Sequence, residues 1–317
     1  CIGNKTLQRN FREHDKRLKL THQLRIIDTR LNKMNLRADC KKCFGLCCIA
    51  FHFSTTDGFP MDKKIGEPCL NLKEDFTCNV HNNLWNDGLK GCVVFDCIGA
   101  GQKISQGTFN GKDWRQFPSL MNSMFEVFSI MLKLYQMLWY LYEAMMLRSA
   151  ISIHREIQSI IDKIEELTNL EPDKLLDIDI ITQRENVNKV LVKASRFERN
   201  KVCNENDDLG RNNIVNRGAD FIGKDLRQVN LRGANLRSAY LIAANLNGVD
   251  MRGTDLIGAD LRDADIRGAD LSKSFFLTQR QINAAMGDSA TKLPIFLDHP
   301  MHWGNNEVVL CTTWSNG

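Results

Sequence analysis

Cysteine is the residue type in this chain whose number and spacing could do chemistry. Eight of the 11 cysteines lie between residues 40 and 97, and they begin with the segment Cys40-Lys-Lys-Cys43-Phe-Gly-Leu-Cys47-Cys48. A C-x-x-C turn brings two sulfurs to one side of a tight loop, where both can bind one ion. Gly45 supplies the backbone freedom that such a loop needs. The candidate metal ligands are Cys40, Cys43, Cys47, Cys48, Cys69, Cys78, His81, Cys92 and Cys97.

These ligands are enough for two tetrahedral zinc sites, or for an iron–sulfur cluster with spare thiols. Two other uses of the cysteines stay open, a disulfide scaffold and a set of free buried thiols. Metal binding is the preferred interpretation, because the adjacent Cys47 and Cys48 are awkward partners for a mutual disulfide and no export signal is visible. Cys1, Cys203 and Cys311 stand apart and are interpreted as ordinary residues.

No catalytic residue can be assigned from the sequence. A Ser/His/Asp order and a carboxylate pair are both missing from the pattern, and the abundant Asp residues belong to a repeat. Gly99-Ala100-Gly101 follows an apolar segment, but it lacks the third glycine and the lysine of a phosphate-binding loop. We interpret it as an ordinary turn.

The elements that must position the cysteines come from four regions. Residues 1–112 are predicted to hold a basic first helix and the Cys-rich metal-binding module, and residues 113–203 a helical region. Residues 204–276 contain a repeat, and residues 277–317 a C-terminal cap and tail. The first 35 residues hold nine Lys and Arg, an arm that can attract phosphate or an acidic surface.

The long apolar stretch from Leu120 to Leu147 raises the question of a membrane span. Polar residues recur along it at helical spacing, and three of them are charged: Glu126, Ser129, Lys133, Gln136 and Glu143. A spanning segment rarely carries three charges in its middle. The stretch is therefore predicted to be a mostly buried amphipathic helix, with no membrane contact.

A period of five residues marks the C-terminal half. Large apolar residues occupy every fifth position, and small residues stand two places before most of them, usually followed by Asp or Asn. The predicted repeat core is Phe221, Leu226, Leu231, Leu236, Leu241, Leu246, Met251, Leu256, Leu261, Ile266 and Leu271. A period of five fits neither a helix nor a strand alone, so each unit is predicted to form one side of a square coil whose core is buried by its neighbours.

This pattern resembles the pentapeptide-repeat family, whose motif A-(D/N)-L-x-x appears here as Ala-Asn-Leu-Arg-Ser at 234–238. The resemblance implies a right-handed quadrilateral β-helix with four units in each coil. The predicted fold class is thus α plus β-solenoid, with a helical, Cys-rich N-terminal part before the β-helix and a cap after it. The whole arrangement is similar to bacterial pentapeptide-repeat proteins with a Cys-rich front half, some of them labelled antibiotic-resistance proteins.

Two classes of function follow. The first is a cytoplasmic, metal-binding protein that acts as an interaction or resistance scaffold and binds a protein partner. The alternative is an iron–sulfur or zinc metalloenzyme acting on a small molecule or a protein side chain. Some members of the family imitate DNA to protect topoisomerases. Residues 217–271, however, hold eight acidic and eight basic side chains, whereas a DNA mimic needs strong negative charge.

Overall fold

A computed structural model describes residues 36–57, 59, 61–204 and 217–304. The chain divides into two compact units. The first comprises Cys1–Asn82 and Asp96–Ala194, and the second Asn83–Phe95 and Ser195–Gly317. The basic arm over residues 1–35, which includes Cys1, lies outside the described residues, as do residues 205–216 and the part of the tail that holds Cys311.

About 45% of the interpretable part is helical. In chain order the helices are α1 (Leu46–Ala50), α2 (Lys90–Val94), α3 (Ala100–Gln102), α4 (Met121–Met146), α5 (His154–Thr168), α6 (Pro172–Leu176), α7 (Ile180–Asn204) and α8 (Gln279–Asn283). A π-helical segment, Lys103–Thr108, continues directly from α3. Short 3-10 turns lie at Cys40–Lys42, Thr55–Asp57, His81–Asn83, Pro118–Leu120, Arg148–Ile153 and Met301–Gly304.

Helix α4 forms the core of the first unit, since 15 of its 26 residues are buried. It packs against α5 and α6. Within α5, Ile157, Ile161 and Ile164 recur four and three residues apart and are buried together on one face. Glu126, Lys133 and Gln136 of the predicted polar stripe are exposed, but Glu143 is buried. No helix of the described residues is long and apolar enough to cross a membrane.

The predicted right-handed quadrilateral β-helix is wrong, because the described residues contain no β-strand. The repeat residues are joined by isolated parallel bridges instead, and most of these link positions 20 residues apart, such as Asp220 with Tyr240 and Asn235 with Asp255. Each bridge involves one residue of a unit. We call this region, residues 217–292, the turn stack.

The local conformation of each unit explains why no strand forms. The small residue donates its backbone N–H to the carbonyl oxygen of the preceding large residue, as from Ala234 to Leu231 at 2.9 Å. That bond closes a four-residue turn, and the third residue of the turn commonly has a positive φ, as at Gly233 (φ 69). The extended backbone is therefore broken once in every five residues, and only one residue of each side remains to bridge.

The large side chains point inward along the whole turn stack. Ten of the eleven predicted core residues, from Leu226 to Leu271, are at most 3% exposed, and Phe221 in the first unit is half-buried. Buried hydroxyl groups bond to backbone within the core, as Thr254 donates to the carbonyl oxygen of Leu231 at 2.7 Å. Asp and Asn are favoured at the position before the large residue because their side chains accept a hydrogen bond from the backbone N–H two residues later, as Asp225 does from Arg227.

Helix α8 lies in the last turns of the stack and closes them with side-chain hydrogen bonds. Thr278 and Gln281 form a capping box at its N-terminus. The Gln281 amide also donates to the carbonyl oxygens of Leu256 and Ala259, at 2.9 Å each. Gln281 thus joins α8 to the backbone of the preceding units.

The end of α7 packs on one side of the turn stack in the second unit. A Cβ on Gly253 would lie 2.6 Å from Val202 Cγ2, and one on Gly233 would lie 3.3 Å from Cys203 Sγ. The buried Arg237–Asp255 ion pair, 2.9 Å long, lies in the next units, and both of its charges act on the pKa of Arg199 in α7. Glycine at these two stacked positions thus makes room for the helix.

Substituting Gly253 by Ala tests this packing, with Gly248→Ala as the matched control. Both glycines have a positive φ, 73 and 71, but a Cβ on Gly248 meets nothing within 4 Å. We expect G253A to lower the free energy of unfolding by about 1–3 kcal/mol more than G248A. Urea denaturation measures both values, and Val202→Ala should restore part of the loss in G253A. Equal losses in the two variants would contradict the packing.

Candidate functional site

Seven of the predicted cysteine ligands lie in the first unit, on short elements and the loops between them. Cys40 is in the 3-10 turn Cys40–Lys42, and Cys43 follows it. Cys47 and Cys48 are in α1, whose preceding Gly45 has a positive φ of 65 and would clash with Leu72 if it carried a Cβ. Cys69, Cys78 and Cys97 are outside the helices.

The C-x-x-C turn is fixed to α3 and the π-helical segment by hydrogen bonds. The backbone N–H of Asp39 donates to Gln102 Oε1 at 2.8 Å, and that of Phe44 donates to Ser105 Oγ at 3.0 Å. Trp114 Nε1 donates to the carbonyl oxygen of Phe44 at 2.8 Å. The turn therefore has partners on both sides, which hold its two thiols in place.

Gly101 brings Cys43 and Cys97 together. The position where this residue would carry a Cβ lies 2.7 Å from Cys43 Sγ and 3.7 Å from Cys97 Sγ. Any side chain here would occupy the space of the first sulfur. The glycine that the sequence analysis assigned to an ordinary turn thus belongs to the cysteine site.

The adjacent thiols of α1 form a close pair, with Cys47 Sγ and Cys48 Sγ 3.8 Å apart. Their hydrogen bond raises the pKa of Cys47 and lowers that of Cys48. The lower pKa of Cys48 is also favoured by the charge of Lys63. This pair is the place in the unit where a thiolate is most readily formed.

Cys48 is the centre of a larger group. Burial raises the pKa values of Cys40, Cys43, Cys69 and Cys78, and charge on the Cys48 sulfur raises each of them further. The pKa of Cys40 reaches about 11, and burial raises that of Cys97 to about 12. Such thiols stay neutral at pH 7 unless a cation binds them and displaces their protons.

The remaining candidates are placed differently. His81 is exposed in the turn His81–Asn83, and Cys92 lies in α2, which belongs to the second unit. All nine described cysteines, including Cys203, are free of disulfide bonds. Over the described part of the chain, no group of three or more His, Cys, Asp or Glu side chains is placed so that it could hold a metal ion as it stands. The metal site therefore stays a prediction.

The surface of the turn stack offers a second kind of site. Surface Asp and Arg residues two positions apart form ion pairs, as Asp225–Arg227 and Asp265–Arg267, at 2.7 Å each. Residues 219–223 and 239–243 depart from this pattern, and the Asp260–Arg262 pair follows on the same side in the next layer. Ile222 and Tyr240 are 51% and 52% exposed, and the backbone N–H of Gly223 donates to the carbonyl oxygen of Ile242, in the next coil, at 2.8 Å. We call Ile222, Tyr240 and Ile242 the apolar side.

Known proteins can now be compared with this architecture. The model of the family described as pentapeptide repeats matches residues 217–246 and 234–272, with 8 copies. The chain is also 52% identical over 269 residues to the uncharacterized protein YybG of Bacillus subtilis strain 168, and the match covers 85% of this chain and 95% of that protein. This chain belongs to the pentapeptide-repeat family. No solved structure matches it.

In this pentapeptide-repeat protein, Gly101 and Lys63 shape the candidate cysteine site, and sequence reasoning assigned them no such part. Gly101 was misassigned because the contact that requires a glycine comes from Cys43, 58 residues earlier. Buried Lys63 was overlooked because nothing in the local sequence distinguishes it from its exposed neighbour Lys64. For Tyr240, a signal was present, since it replaces the Asp or Asn of the repeat.

Substituting Gly101 by Ala tests the geometry of the cysteine site. The new methyl group would overlap Cys43 Sγ, so we expect the free energy of unfolding to fall by about 1–3 kcal/mol. Gly107→Ala is the matched control, because a Cβ there meets only the flexible Lys103 side chain, at 3.4 Å. A double-mutant cycle with Cys43→Ala should recover most of the loss. Additive effects of the two substitutions would show that they do not contact.

Proposed function

We propose that this pentapeptide-repeat protein is an interaction scaffold whose Cys-rich unit binds a thiophilic metal ion or cluster. The observation that carries the proposal is the group of free thiols around Cys48, held on short elements by backbone and side-chain hydrogen bonds. The turn stack supplies the interaction surface. The family match supports the scaffold role, and the metal is our own inference.

The donor chemistry favours zinc or an iron–sulfur cluster. Thiolates select soft or borderline ions over Mg²⁺ or Ca²⁺, and five other thiols, those of Cys40, Cys43, Cys47, Cys69 and Cys78, interact electrostatically with Cys48. Because the described thiols are free, they suit a reducing compartment, and we place the protein in the cytoplasm. Ligand side chains that converge only when an ion is present would rotate on binding, as in small domains whose metal binding is coupled to folding.

A metal measurement on protein purified without oxygen tests this proposal. We expect zinc, or iron with sulfide, at one or more equivalents per chain, measured by elemental analysis and an absorption spectrum. Cys48→Ser should lower the metal content at least severalfold, because Cys48 is central to the group. Cys203→Ser, an exposed cysteine of α7, should leave it unchanged. Metal-free wild-type protein that also takes up no added zinc or iron would rule the metal out.

The spectrum also separates the scaffold from the alternative of a metalloenzyme. A colourless zinc protein with four protein ligands has a closed, structural site, whereas a catalytic zinc keeps a position open. A brown protein with iron and sulfide would favour redox chemistry. The resistance role implied by the resemblance stays a prediction.

The apolar side is the part of the turn stack that we propose to bind a protein partner. Exposed aromatic and aliphatic groups are the usual anchors of protein interfaces. The ion-paired sides are poorer candidates, and they also argue against DNA mimicry. There, carboxylates such as Asp225 and Asp265 each pair with an Arg 2.7 Å away, which compensates part of the negative charge.

Replacing Tyr240 by Asn tests the apolar side without harming the repeat. Asn is the residue that the repeat itself prefers at this position, so we expect the free energy of unfolding to change by less than about 0.5 kcal/mol. A partner captured by the wild-type chain should bind at least tenfold more weakly to Y240N. Asn247→Ala, an exposed change on a neighbouring side, is the control. Equal binding by Y240N and wild type would exclude the apolar side as the interface.

A further inference from the structure

Tyr240 lacks a hydrogen bond that the other units of its repeat make. Eleven units lie between residues 220 and 272, and in ten of them an Asp or Asn side chain accepts the backbone N–H two residues later. Asp220, for example, accepts from Ile222 at 3.1 Å. A tyrosine carries its hydroxyl oxygen at the far end of the ring and cannot make this short bond. Among the described residues, the Ile242 N–H has no hydrogen-bond acceptor.

The tyrosine ring adds little to the core in exchange for the lost bond. Tyr240 is 52% exposed, and the core position of its unit is filled by Leu241, which is 0% exposed. Giving up a bond within a turn costs stability. A residue that breaks the rule of its repeat without a gain in packing points to a role at the surface.

The neighbours of Tyr240 in the adjacent layers are two aspartates. Parallel bridges join Tyr240 to Asp220 on one side and to Asp260 on the other, and bridged layers lie about 4.8 Å apart. Asp260 is paired with Arg262 at 2.6 Å. Within the part of the chain that the structure describes, Asp220 has no ion pair, although it is exposed. An unpaired carboxylate therefore lies one layer away from an exposed aromatic ring.

The charge around the apolar side is negative. Residues 219–223, 239–243 and 259–263 lie on this side in three successive layers, and their charged side chains are three carboxylates and one guanidinium: Asp220, Asp260, Asp263 and Arg262. Such a surface repels the phosphates of nucleic acids and attracts cations. A guanidinium suits it best, because this group stacks on aromatic rings and also binds carboxylates.

We propose that Tyr240 and Asp220 form a subsite for an arginine side chain of the protein partner. The proposal rests on the function proposed above for the apolar side and specifies the chemistry of the partner. Ile222 and Ile242 occupy equivalent positions in adjacent layers, 20 residues apart, and Ile222 is 51% exposed. They form an aliphatic strip beside the ring. The partner segment is therefore a basic one, in which an arginine stands close to an apolar side chain.

Peptides selected from a random library test this subsite. Dodecapeptides displayed on phage are selected on the full-length protein, and those that also bind Tyr240→Asn are removed. We expect the remaining peptides to carry an arginine close to Leu, Ile, Met or Phe, and their affinities are measured by fluorescence anisotropy.

Asp220→Asn is the decisive variant, because it removes the charge and keeps the acceptor that the repeat uses at this position. We expect it to weaken the binding of the selected peptides about fivefold, as suits the loss of one exposed charge pair supported by a ring. Asp225→Asn is the matched control, since Asp225 holds the same position on the neighbouring side and is paired with Arg227 at 2.7 Å. It should change the affinity by less than about twofold.

A double-mutant cycle assigns the effect to the arginine. When the arginine of the peptide is replaced by glutamine, D220N should cause no further loss. Peptides that depend on Tyr240 but carry no arginine, or that bind D220N as well as wild type, would refute the arginine subsite while the apolar side stands. If no selected peptide depends on Tyr240 or Ile222, the apolar side itself fails as a protein-binding surface, and the subsite fails with it.

Discussion

The repeat part of the molecule depends on one backbone constraint, a turn every five residues. Most of these turns have a positive φ at their third residue, which glycine adopts freely and other residues adopt at a cost of about 1–2 kcal/mol. Ser238, Ala243 and Asp263 nevertheless have φ values of 55, 52 and 55. Hydrogen bonds on both sides of these residues maintain the strain, for example from Ser238 N–H to Ile257 O at 2.9 Å. The conformation of each unit therefore depends more on hydrogen bonds to neighbouring units than on the intrinsic backbone preference of its own residues.

The same constraint determines what the surface can display. One large residue per unit enters the core, one Asp or Asn binds the backbone of its own turn, and two positions remain for solvent. Where those positions hold Arg, the carboxylate two residues earlier pairs with it, and exposed pairs of this kind contribute little stability. The turn stack thus tolerates many different residues at its surface positions. Those residues can therefore be selected for binding to a partner.

The sequence predicted the inward residues of the repeat from their period, yet the predicted strands do not exist. A period of five predicts how often a side chain points into the core. It does not predict how many residues of each five-residue unit have an extended backbone. Helix α4 shows a similar limit. Its polar stripe predicted an exposed face, and Glu126, Lys133 and Gln136 are exposed, but Glu143 continues the spacing into the core. Helical periodicity predicts on which face of the helix a side chain lies. It does not predict how deeply other elements bury that face near each end of the helix.

The cysteine unit shows which parts of a site need three-dimensional information. The thiols were visible because cysteine is rare and clustered, whereas Gly101 and Lys63 act through contacts with residues distant in sequence or around a loop. A glycine that makes room for a sulfur and a buried lysine that bonds to three peptide carbonyl oxygens look ordinary in the chain. They acquire their roles from burial, which removes both free space and water. Burial also raises the pKa values of most of these thiols, as at Cys40 and Cys97, so an ion that bound them would have to displace their protons.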